Sequence, residues 1–277
     1  MPPSAALTTP HAIDPDSLAA LPRRSGVYIF KGEGRLPLYI GKSVDIRSRV
    51  LAHLRAPDEA EMIAQSRRVD FIETAGEMGA LLLEAQLIKQ QSPLFNIRLR
   101  RLRSLCAIRL QAREGQLSPQ IVSGREVAVG QSDDLYGLFG SVHAAQSKLR
   151  ELADQHRLCL GLLGLEKLGQ RGCFGVQVRT CLGACVGKED RRAHDQRLLS
   201  ALLDLKVHAW PFAAAVDLVE QSGDWVQRHR VQDWRYQGTW CSRTQQMQTH
   251  PQQGFDLDIY KILVKPIMMG SARIERV

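Results

Sequence analysis

The sequence predicts an α/β (α+β) fold. A small domain with a three-stranded sheet flanked by helices should be followed by a cysteine-cluster helical segment and a small β-rich domain. Extended and helical patterns alternate through the first hundred residues, four of the six cysteines lie close together, and strand-like runs dominate the last third. Because the 277 residues exceed one average domain, we expect several parts. They are a flexible N-terminus with a short helix (1–20), the α/β domain (21–103), a middle region of strands, helices and the cysteine cluster (104–207), and a β-rich C-terminal domain (208–277).

A short helix and a β-hairpin open the chain. Asp14 before Pro15 is typical of a capped helix start, and Pro22 ends the short helix that follows. Residues 26–30 (GVYIF) are rich in β-branched and aromatic side chains, and a glycine-containing turn separates them from 36–41 (LPLYIG). The two runs predict a pair of antiparallel strands.

Helices and a third strand complete the predicted first domain. Residues 44–56 carry apolar side chains at helical spacing, 58–66 suggest another short helix, and 69–74 have the composition of a strand. Residues 77–91 (EMGALLLEAQLIKQQ) form the strongest helical pattern, which a proline ends two positions later. The expected order is therefore β-β-α-α-β-α.

The remainder of the chain shows weaker patterns. Residues 105–140 are predicted to be β-rich with glycine turns, and helical periodicity returns over 142–157 and 189–207. From Trp210 onward we expect strands. The three strand-like runs are 213–220, 224–231 and 257–267.

Charge and composition narrow the class of protein. A net charge of +8 with a pI near 9.4 favours a polyanionic partner, nucleic acid before an anionic membrane. No run of eighteen apolar residues suggests a membrane span, and the N-terminus lacks the basic and apolar regions of a secretory signal. We therefore expect a cytoplasmic protein with no membrane partner.

Glu84 is the most unusual residue of the 77–91 helix. On a helical wheel it lies in the middle of a broad apolar face, with Gln86 and Lys89 opposite. A carboxylate on a core-facing stripe is costly unless it is paired or bound to a metal. The wheel alone leaves a metal ligand and a structural ion pair about equally favoured.

Polar and aromatic residues of the hairpin and the next helix are further candidates. Tyr28 and Tyr39 on adjacent strands are either core aromatics or, beside the cation of Lys42, a general base or proton relay. Arg49 and His53 lie one helical turn apart, either on a solvated face or as a phosphate clamp.

Several motifs in order resemble the GIY-YIG nucleases. The segments GVY and YIG, with tyrosines eleven positions apart, are similar to the paired motifs that name the family. GVYIF, YIGKS and ALLLEAQLIKQQSPLFNIRL together resemble the N-terminal domain of UvrC, the excinuclease ABC component that makes the 3′ incision in bacterial nucleotide excision repair. The resemblance implies the catalytic set Tyr28, Tyr39, Lys42, Arg49, His53, Glu84 and Asn96.

The chain also departs from the UvrC pattern. It has no room for that family's second nuclease domain and helix-hairpin-helix modules, and it is more similar to the shorter Cho-type excinucleases. His53 stands where UvrC proteins typically have tyrosine, and histidine can keep a phosphate contact or a proton relay. The resemblance implies one 3′-side cut in duplex DNA that carries a lesion and has been loaded by UvrA and UvrB, and a place in the SOS response.

The implied chemistry is metal-dependent phosphodiester hydrolysis. Glu84 would hold one Mg²⁺ or Mn²⁺ largely through water. Tyr28 or Tyr39 would help to deprotonate the attacking water, with Lys42 lowering the pKa of the phenol or orienting the water. Arg49 would stabilise charge on the phosphoryl oxygens, and Asn96 would anchor the site or the DNA backbone.

The clustered cysteines predict a metal centre. Four thiolates in one region of a cytosolic chain suit a zinc site or a [4Fe–4S] cluster better than disulfides, although four reduced core cysteines are the plain alternative. The CLGACVGK ending resembles the cysteine-cluster region of UvrC proteins, which favours [4Fe–4S] over structural Zn²⁺. The four residues are Cys159, Cys173, Cys181 and Cys185.

Two other functions stay open at this point. One is a stand-alone GIY-YIG endonuclease of other DNA processing. The other is a non-catalytic DNA- or protein-binding module with structural zinc. Four arginines after the first domain are either a phosphate-tracking strip or a solubilising run. They are Arg98, Arg100, Arg101 and Arg103.

Overall fold

The computed structural model describes residues 11–96, 105–124, 127–249 and 254–277. Contacts divide the chain into two compact units, one formed by Met1–Leu102 with Phe212–Val277 and the other by Arg103–Pro211. The helices are α1 (Pro15–Ala19), α2 (Ile46–His53), α3 (Ala60–Gln65), α4 (Glu77–Gln91), α5 (Val142–His156), α6 (Phe174–Gln177), α7 (Arg191–Leu202) and α8 (Leu257–Met268). The strands are β1 (Gly26–Lys31), β2 (Pro37–Ser43), β3 (Arg68–Glu73), β4 (Cys106–Arg113), β5 (Gln116–Ser123), β6 (Leu135–Phe139), β7 (Val216–Ser222), β8 (Trp225–Gln232), β9 (Arg235–Cys241), β10 (Gln246–Thr249) and β11 (Ile274–Arg276).

The N-terminal part of the first unit is built on the predicted three-stranded sheet. Its order is β2-β1-β3 and both pairings are antiparallel. Because strand side chains alternate, β1 buries Tyr28 and Phe30 on one face and Val27 and Ile29 on the other. The first face packs against α2 and α3, and the second packs against α4. The α/β class predicted from the sequence is confirmed.

The C-terminal part of the same unit is a five-stranded antiparallel sheet. Its order is β10-β9-β8-β7-β11, so the last strand returns to pair beside β7. Trp234, in the turn between β8 and β9, is completely buried and its ring meets that of Tyr260 on α8. The β-rich character of this region was predicted, but β9, β10 and β11 were not.

The run 257–267 was wrongly predicted to be a strand. It forms α8, which begins after Asp256, whose carboxylate accepts hydrogen bonds from two backbone N–H groups of the first turn. Ile259, Leu263 and Ile267 are buried and lie four residues apart, so they form one helical stripe. Its β-branched residues suggested a strand, whereas the cap and the burial of this stripe decide for a helix.

The wheel prediction for α4 was wrong on one face. Gln86 was expected opposite the core, but it is buried because α8 packs against α4 from that side. The ammonium of Lys89 on the same side forms ion pairs with Asp256 and Asp258. Helix α4, which carries Glu84, is therefore covered by strands β1 and β2 on one side and by helix α8 on another.

The second unit is a separate α/β assembly. Its sheet has the order β5-β4-β6 and packs against α5 and α7 over a core that includes Ile108, Leu149 and Leu198. The segment between α5 and α7 contains the short helix α6 and the four clustered cysteines. Within the described residues, no helix has the length and apolar character that crossing a bilayer requires.

Candidate active site

The β1–β2 hairpin places the two tyrosines on one face of the sheet. Tyr28 lies opposite Gly41, and Tyr39 lies opposite Phe30, so all four positions share that face. The two phenol rings have centroids 6.2 Å apart. A Cβ atom on Gly41 would lie 2.3 Å from the Tyr28 hydroxyl oxygen, so only glycine leaves room for this phenol.

Helix α2 brings Arg49 and His53 to the tyrosines. The helix begins after Asp45, whose carboxylate caps it by accepting from Ser48 N at 2.9 Å. His53 is buried, and its Nε2 lies 2.7 Å from the Tyr28 hydroxyl. Arg49, one turn earlier, is exposed. Its guanidinium lowers the pKa of the same Tyr28 hydroxyl. The solvated-face interpretation of these residues is thus wrong for His53.

Glu84 reaches the end of β2 from helix α4. One of its carboxylate oxygens accepts a hydrogen bond from the Lys42 backbone N–H at 3.1 Å. Among the described residues this is the only donor that reaches the carboxylate, and the residue is half-buried. The Lys42 ammonium itself points to Glu77, at 2.5 Å. Glu84 therefore keeps accepting capacity that another ligand can use.

Asn96 ties the segment after α4 to β2. Its amide oxygen accepts from Ile40 N at 2.9 Å, and its amide nitrogen donates to Ile40 O at 2.8 Å. Both polar groups of the Asn96 side chain therefore bind the backbone of Ile40, which lies between Tyr39 and Gly41 on β2. This geometry serves to hold the strand in place.

Burial controls the ionisation of these groups. It raises the pKa of Tyr28 and Tyr39, and the negative charge of Glu84 adds to the effect on both. Burial also raises the pKa of Glu84, against the effects of the Lys42 N–H and ammonium. It lowers the pKa of His53, although Glu59 opposes this. The two phenols are thus held in the neutral form, as is the imidazole.

Three carboxylates that contact the candidate residues or the helix of Glu84 were not predicted from the sequence. Glu59 contacts His53, Glu77 binds Lys42, and Glu220 on β7 accepts from the backbone N–H groups of the first turn of α4. Glu77 could have been suspected from its acidic position in that first turn. No sequence pattern indicates the roles of Glu59 and Glu220, because Glu59 lies after α2 and Glu220 lies on a strand far from α4 in the sequence.

The four clustered cysteines come together in the second unit. Their sulfur atoms all lie within 4.8 Å of one another, and all six cysteines of the chain are free thiols. Backbone N–H groups of Cys173 and Gly183 donate to the sulfurs of Cys185 and Cys181. These residues could hold a metal, as predicted. Cys106 and Cys241 lie apart from this cysteine quartet.

The arginine strip lies outside the described residues. Arg98, Arg100, Arg101 and Arg103 fall within 97–104, so the two interpretations of this run stay predictions.

Comparisons with protein families cover most of the chain. Residues 24–97 match the model of the UvrC-like GIY-YIG domain. Residues 105–204 match the UvrC/Cho excinuclease middle domain, and residues 215–277 match the excinuclease Cho C-terminal domain. The three matches follow one another along the chain without overlap.

Individual proteins show the same likeness. The chain is 49% identical over 259 residues to excinuclease cho of Escherichia coli K12, an alignment that covers 92% of this chain and 86% of that protein. It is 30% identical over 195 residues to UvrABC system protein C of Methanosarcina acetivorans, which covers 68% of this chain and 36% of that protein. It is also similar to the magnesium-bound GIY-YIG N-terminal endonuclease domain of UvrC from Thermotoga maritima. The sequences of the two chains are 31% identical in this comparison, which covers 30% of this chain and 93% of the crystallised chain. The TM-score is 0.28.

Proposed function

Since the chain belongs to the family of Cho-type excinucleases, we propose that it makes a single 3′-side incision beside a lesion in duplex DNA, during nucleotide excision repair. The chain carries a GIY-YIG endonuclease domain. The observation that carries the proposal is the meeting of Tyr28, His53, Arg49 and Glu84 around the end of one hairpin. Acid–base groups beside an exposed arginine and a half-buried carboxylate are the groups that metal-assisted phosphodiester hydrolysis requires.

Glu84 fits a divalent cation. Its carboxylate is half-buried, has a single backbone donor, and has a raised pKa because of burial, so a cation would stabilise the ionised form. One carboxylate suits Mg²⁺ or Mn²⁺ held mainly through water. When bound, such an ion supplies positive charge for the scissile phosphate and the leaving oxygen.

The protein groups have distinct roles around the phosphate. The phenols of Tyr28 and Tyr39 are the candidates to take a proton from the attacking water, and Tyr28 is the one bonded to a histidine. Exposed Arg49 would bind a phosphoryl oxygen. Lys42 places its backbone N–H on Glu84 and would orient the water, while Asn96 holds β2.

The partners follow from the family. We propose lesion-containing double-stranded DNA as substrate, with UvrA and UvrB as loading proteins, and no membrane partner. Location in the cytoplasm and a part in the SOS response belong to the same proposal. We also propose a division of the chain at residues 21–103, 104–207 and 208–277, preceded by an N-terminal segment 1–20 that contains α1.

The cysteine quartet is proposed to hold the [4Fe–4S] cluster that the family resemblance implies, with structural Zn²⁺ as the alternative. One Zn²⁺ with bonds of about 2.3 Å would hold four sulfurs about 3.8 Å apart. A four-iron cluster binds each sulfur to a different iron and spreads them further. The spacing within 4.8 Å is nearer to that of a single ion. Analysis of iron, sulfide and zinc in protein purified without oxygen distinguishes the two.

The incision assay tests the proposal directly. A duplex with one bulky lesion and one end label is incubated with UvrA, UvrB and Mg²⁺, using wild type, Glu84→Ala and the control Glu61→Ala. Glu61 is exposed on α3, so its loss removes the same charge away from the site. We expect one 3′-side cut in wild type and control, and a loss of about a hundredfold or more in Glu84→Ala. Equal cutting by all three would refute the role of Glu84. Efficient cutting of undamaged DNA without UvrA and UvrB would favour the stand-alone endonuclease.

A further inference from the structure

We propose that Glu59 is a positioning residue of the nuclease, which holds His53 so that its Nε2 accepts the proton of the Tyr28 hydroxyl. Glu59, His53 and Tyr28 then form a buried proton relay that ends at the attacking water. The inference rests on the proposed function, because it names the acid–base path of that same site.

The relay is visible as two hydrogen bonds on one imidazole. The Nε2 atom of His53 lies 2.7 Å from the Tyr28 hydroxyl, and its Nδ1 atom contacts a carboxylate oxygen of Glu59. Glu59 lies in the turn Pro57–Glu59 that follows α2, six positions after the histidine. The His53 side chain is 1% exposed and that of Glu59 is 29% exposed, so the histidine is sealed and the carboxylate reaches solvent.

The carboxylate decides which nitrogen carries the proton. An ionised Glu59 can only accept, so Nδ1 of His53 must be the protonated nitrogen. Nε2 then offers a lone pair, and the Tyr28 hydroxyl must be the donor of the 2.7 Å bond. The same arrangement, carboxylate to imidazole to hydroxyl, orients the nucleophile in serine hydrolases.

The surrounding side chains hold the ring in place and keep water out. Rings of Tyr28, Phe30 and Tyr39 surround the imidazole, with centroids 5.3 to 5.5 Å from it. Among the residues that the structure describes, Tyr28 and Glu59 are the two hydrogen-bond partners through which the buried ring can lose or gain a proton. This packing explains why a histidine on an otherwise polar line of α2 is buried.

The charges that face His53 come from each neighbouring element. Burial lowers the pKa of His53, and the turn residues Glu59 and Asp58 raise it. Arg49 on the same helix lowers it, and the phenols of Tyr28 and Tyr39 face it from the two strands. Glu59 makes the largest opposing contribution, so it offsets part of the lowering that burial imposes on the pKa of His53.

Hydrolysis moves one proton from the attacking water into the relay. The water oxygen forms a bond to phosphorus, and the bond from phosphorus to the 3′-oxygen breaks. One water proton passes to the Tyr28 oxygen, while the phenol's own proton passes to Nε2 of His53. The leaving 3′-oxygen takes a proton from solvent. The imidazolium beside Glu59 then releases its extra proton through Tyr28 to solvent, which replaces the proton that the leaving oxygen took, so the enzyme is unchanged.

The first test needs neither DNA nor metal. Nitrogen-detected NMR of metal-free protein reports which ring nitrogen of His53 carries the proton, in wild type, Glu59→Ala and the control Glu61→Gln. We expect the Nδ1-protonated form in wild type and control, and a mixture with the other tautomer in Glu59→Ala. An unchanged tautomer in Glu59→Ala would overturn the proposal, even if the proposed nuclease function were correct.

The second test measures kcat and KM against pH on lesion-containing duplex loaded with UvrA and UvrB. Glu59→Gln keeps an acceptor for Nδ1 but lacks the charge. We expect kcat to fall about tenfold to a hundredfold with KM unchanged. The acid limb of the curve of kcat against pH should move to lower pH in Glu59→Gln. The reason is that the Glu59 charge raises the pKa of His53, so its loss lowers that pKa. Glu61→Gln should match wild type. A Glu59→Gln profile identical to that of wild type would overturn the relay, whereas an inactive wild type would overturn the proposed function and leave the NMR result to decide.

Discussion

Removal of the Glu220 carboxylate is expected to destabilise the helix that carries Glu84. Helix α4 begins after Gly76, which has no side chain to cap it. Glu220 on β7 takes the place of the missing cap, since one of its oxygens accepts from Met78 N at 2.8 Å and the other from Gly79 N at 2.7 Å. Its side chain is only 19% exposed, so solvent screens these bonds weakly.

Two contributions determine how much stability the Glu220→Ala variant should lose. Loss of a capping side chain costs about 1 kcal/mol, and loss of a negative charge at a partly buried helix N-terminus costs up to about 2 kcal/mol. Glu220→Ala should therefore lower the free energy of unfolding by about 2–3 kcal/mol. For a unit of this size that corresponds to a fall in Tm of roughly 4–12 °C. Glu220→Gln keeps one acceptor and should lose about half as much.

Thermal unfolding followed by circular dichroism checks the magnitude, with Asp224→Asn as the control. Asp224 is exposed in the turn after β7, so its change removes the same charge from the same sheet. Because α4 also positions Glu84 about two turns later, the Ala variant should lose incision activity as well. A Tm equal to that of wild type would refute the capping argument.

The pH dependence of stability gives an independent check of the role of the Glu220 carboxylate. Burial raises the pKa of Glu220, but the bonds from His229, Gly79 and Met78 outweigh it and lower the pKa overall. A lowered folded pKa means that the carboxylate stabilises the fold above its unfolded value of about 4.3, and that this stabilisation is lost as pH falls through the folded value. The difference between wild type and Glu220→Ala should therefore shrink in acid. A difference that stays constant in acid would contradict the ionic part of the argument.

Two further predictions use matched pairs of variants. Gly41→Ala should reduce incision activity and cost about 1–3 kcal/mol of stability, because its Cβ would lie 2.3 Å from the Tyr28 hydroxyl, whereas Gly34→Ala has open space and should match wild type in both measurements. Full activity of Gly41→Ala would show that the phenol can move freely. Cys185→Ser should reduce the bound metal measured by elemental analysis and lower the Tm, whereas Cys241→Ser, which lies outside the quartet, should keep the metal. Equal metal content in the two cysteine variants would argue against a four-sulfur site.

Local sequence patterns determined much of the first domain. The alternation of residues 26–41 predicted the hairpin, and the periodicity of 77–91 predicted α4 with the bounds that the structure has. The position of Glu84 on an apolar face was also visible, because helical geometry follows from spacing alone. These features depend on neighbours within a few residues, which is what a sequence pattern records.

Only the tertiary structure decided which faces are covered. His53 lies on a polar line of α2, yet the tyrosines and the turn with Glu59 enclose it. Gln86 was expected to face solvent, but α8, about 170 positions later, buries it. Glu220 caps a helix that begins more than 140 positions earlier. Periodicity shows that a side chain has a given direction, whereas burial and pairing depend on distant segments that no local pattern contains.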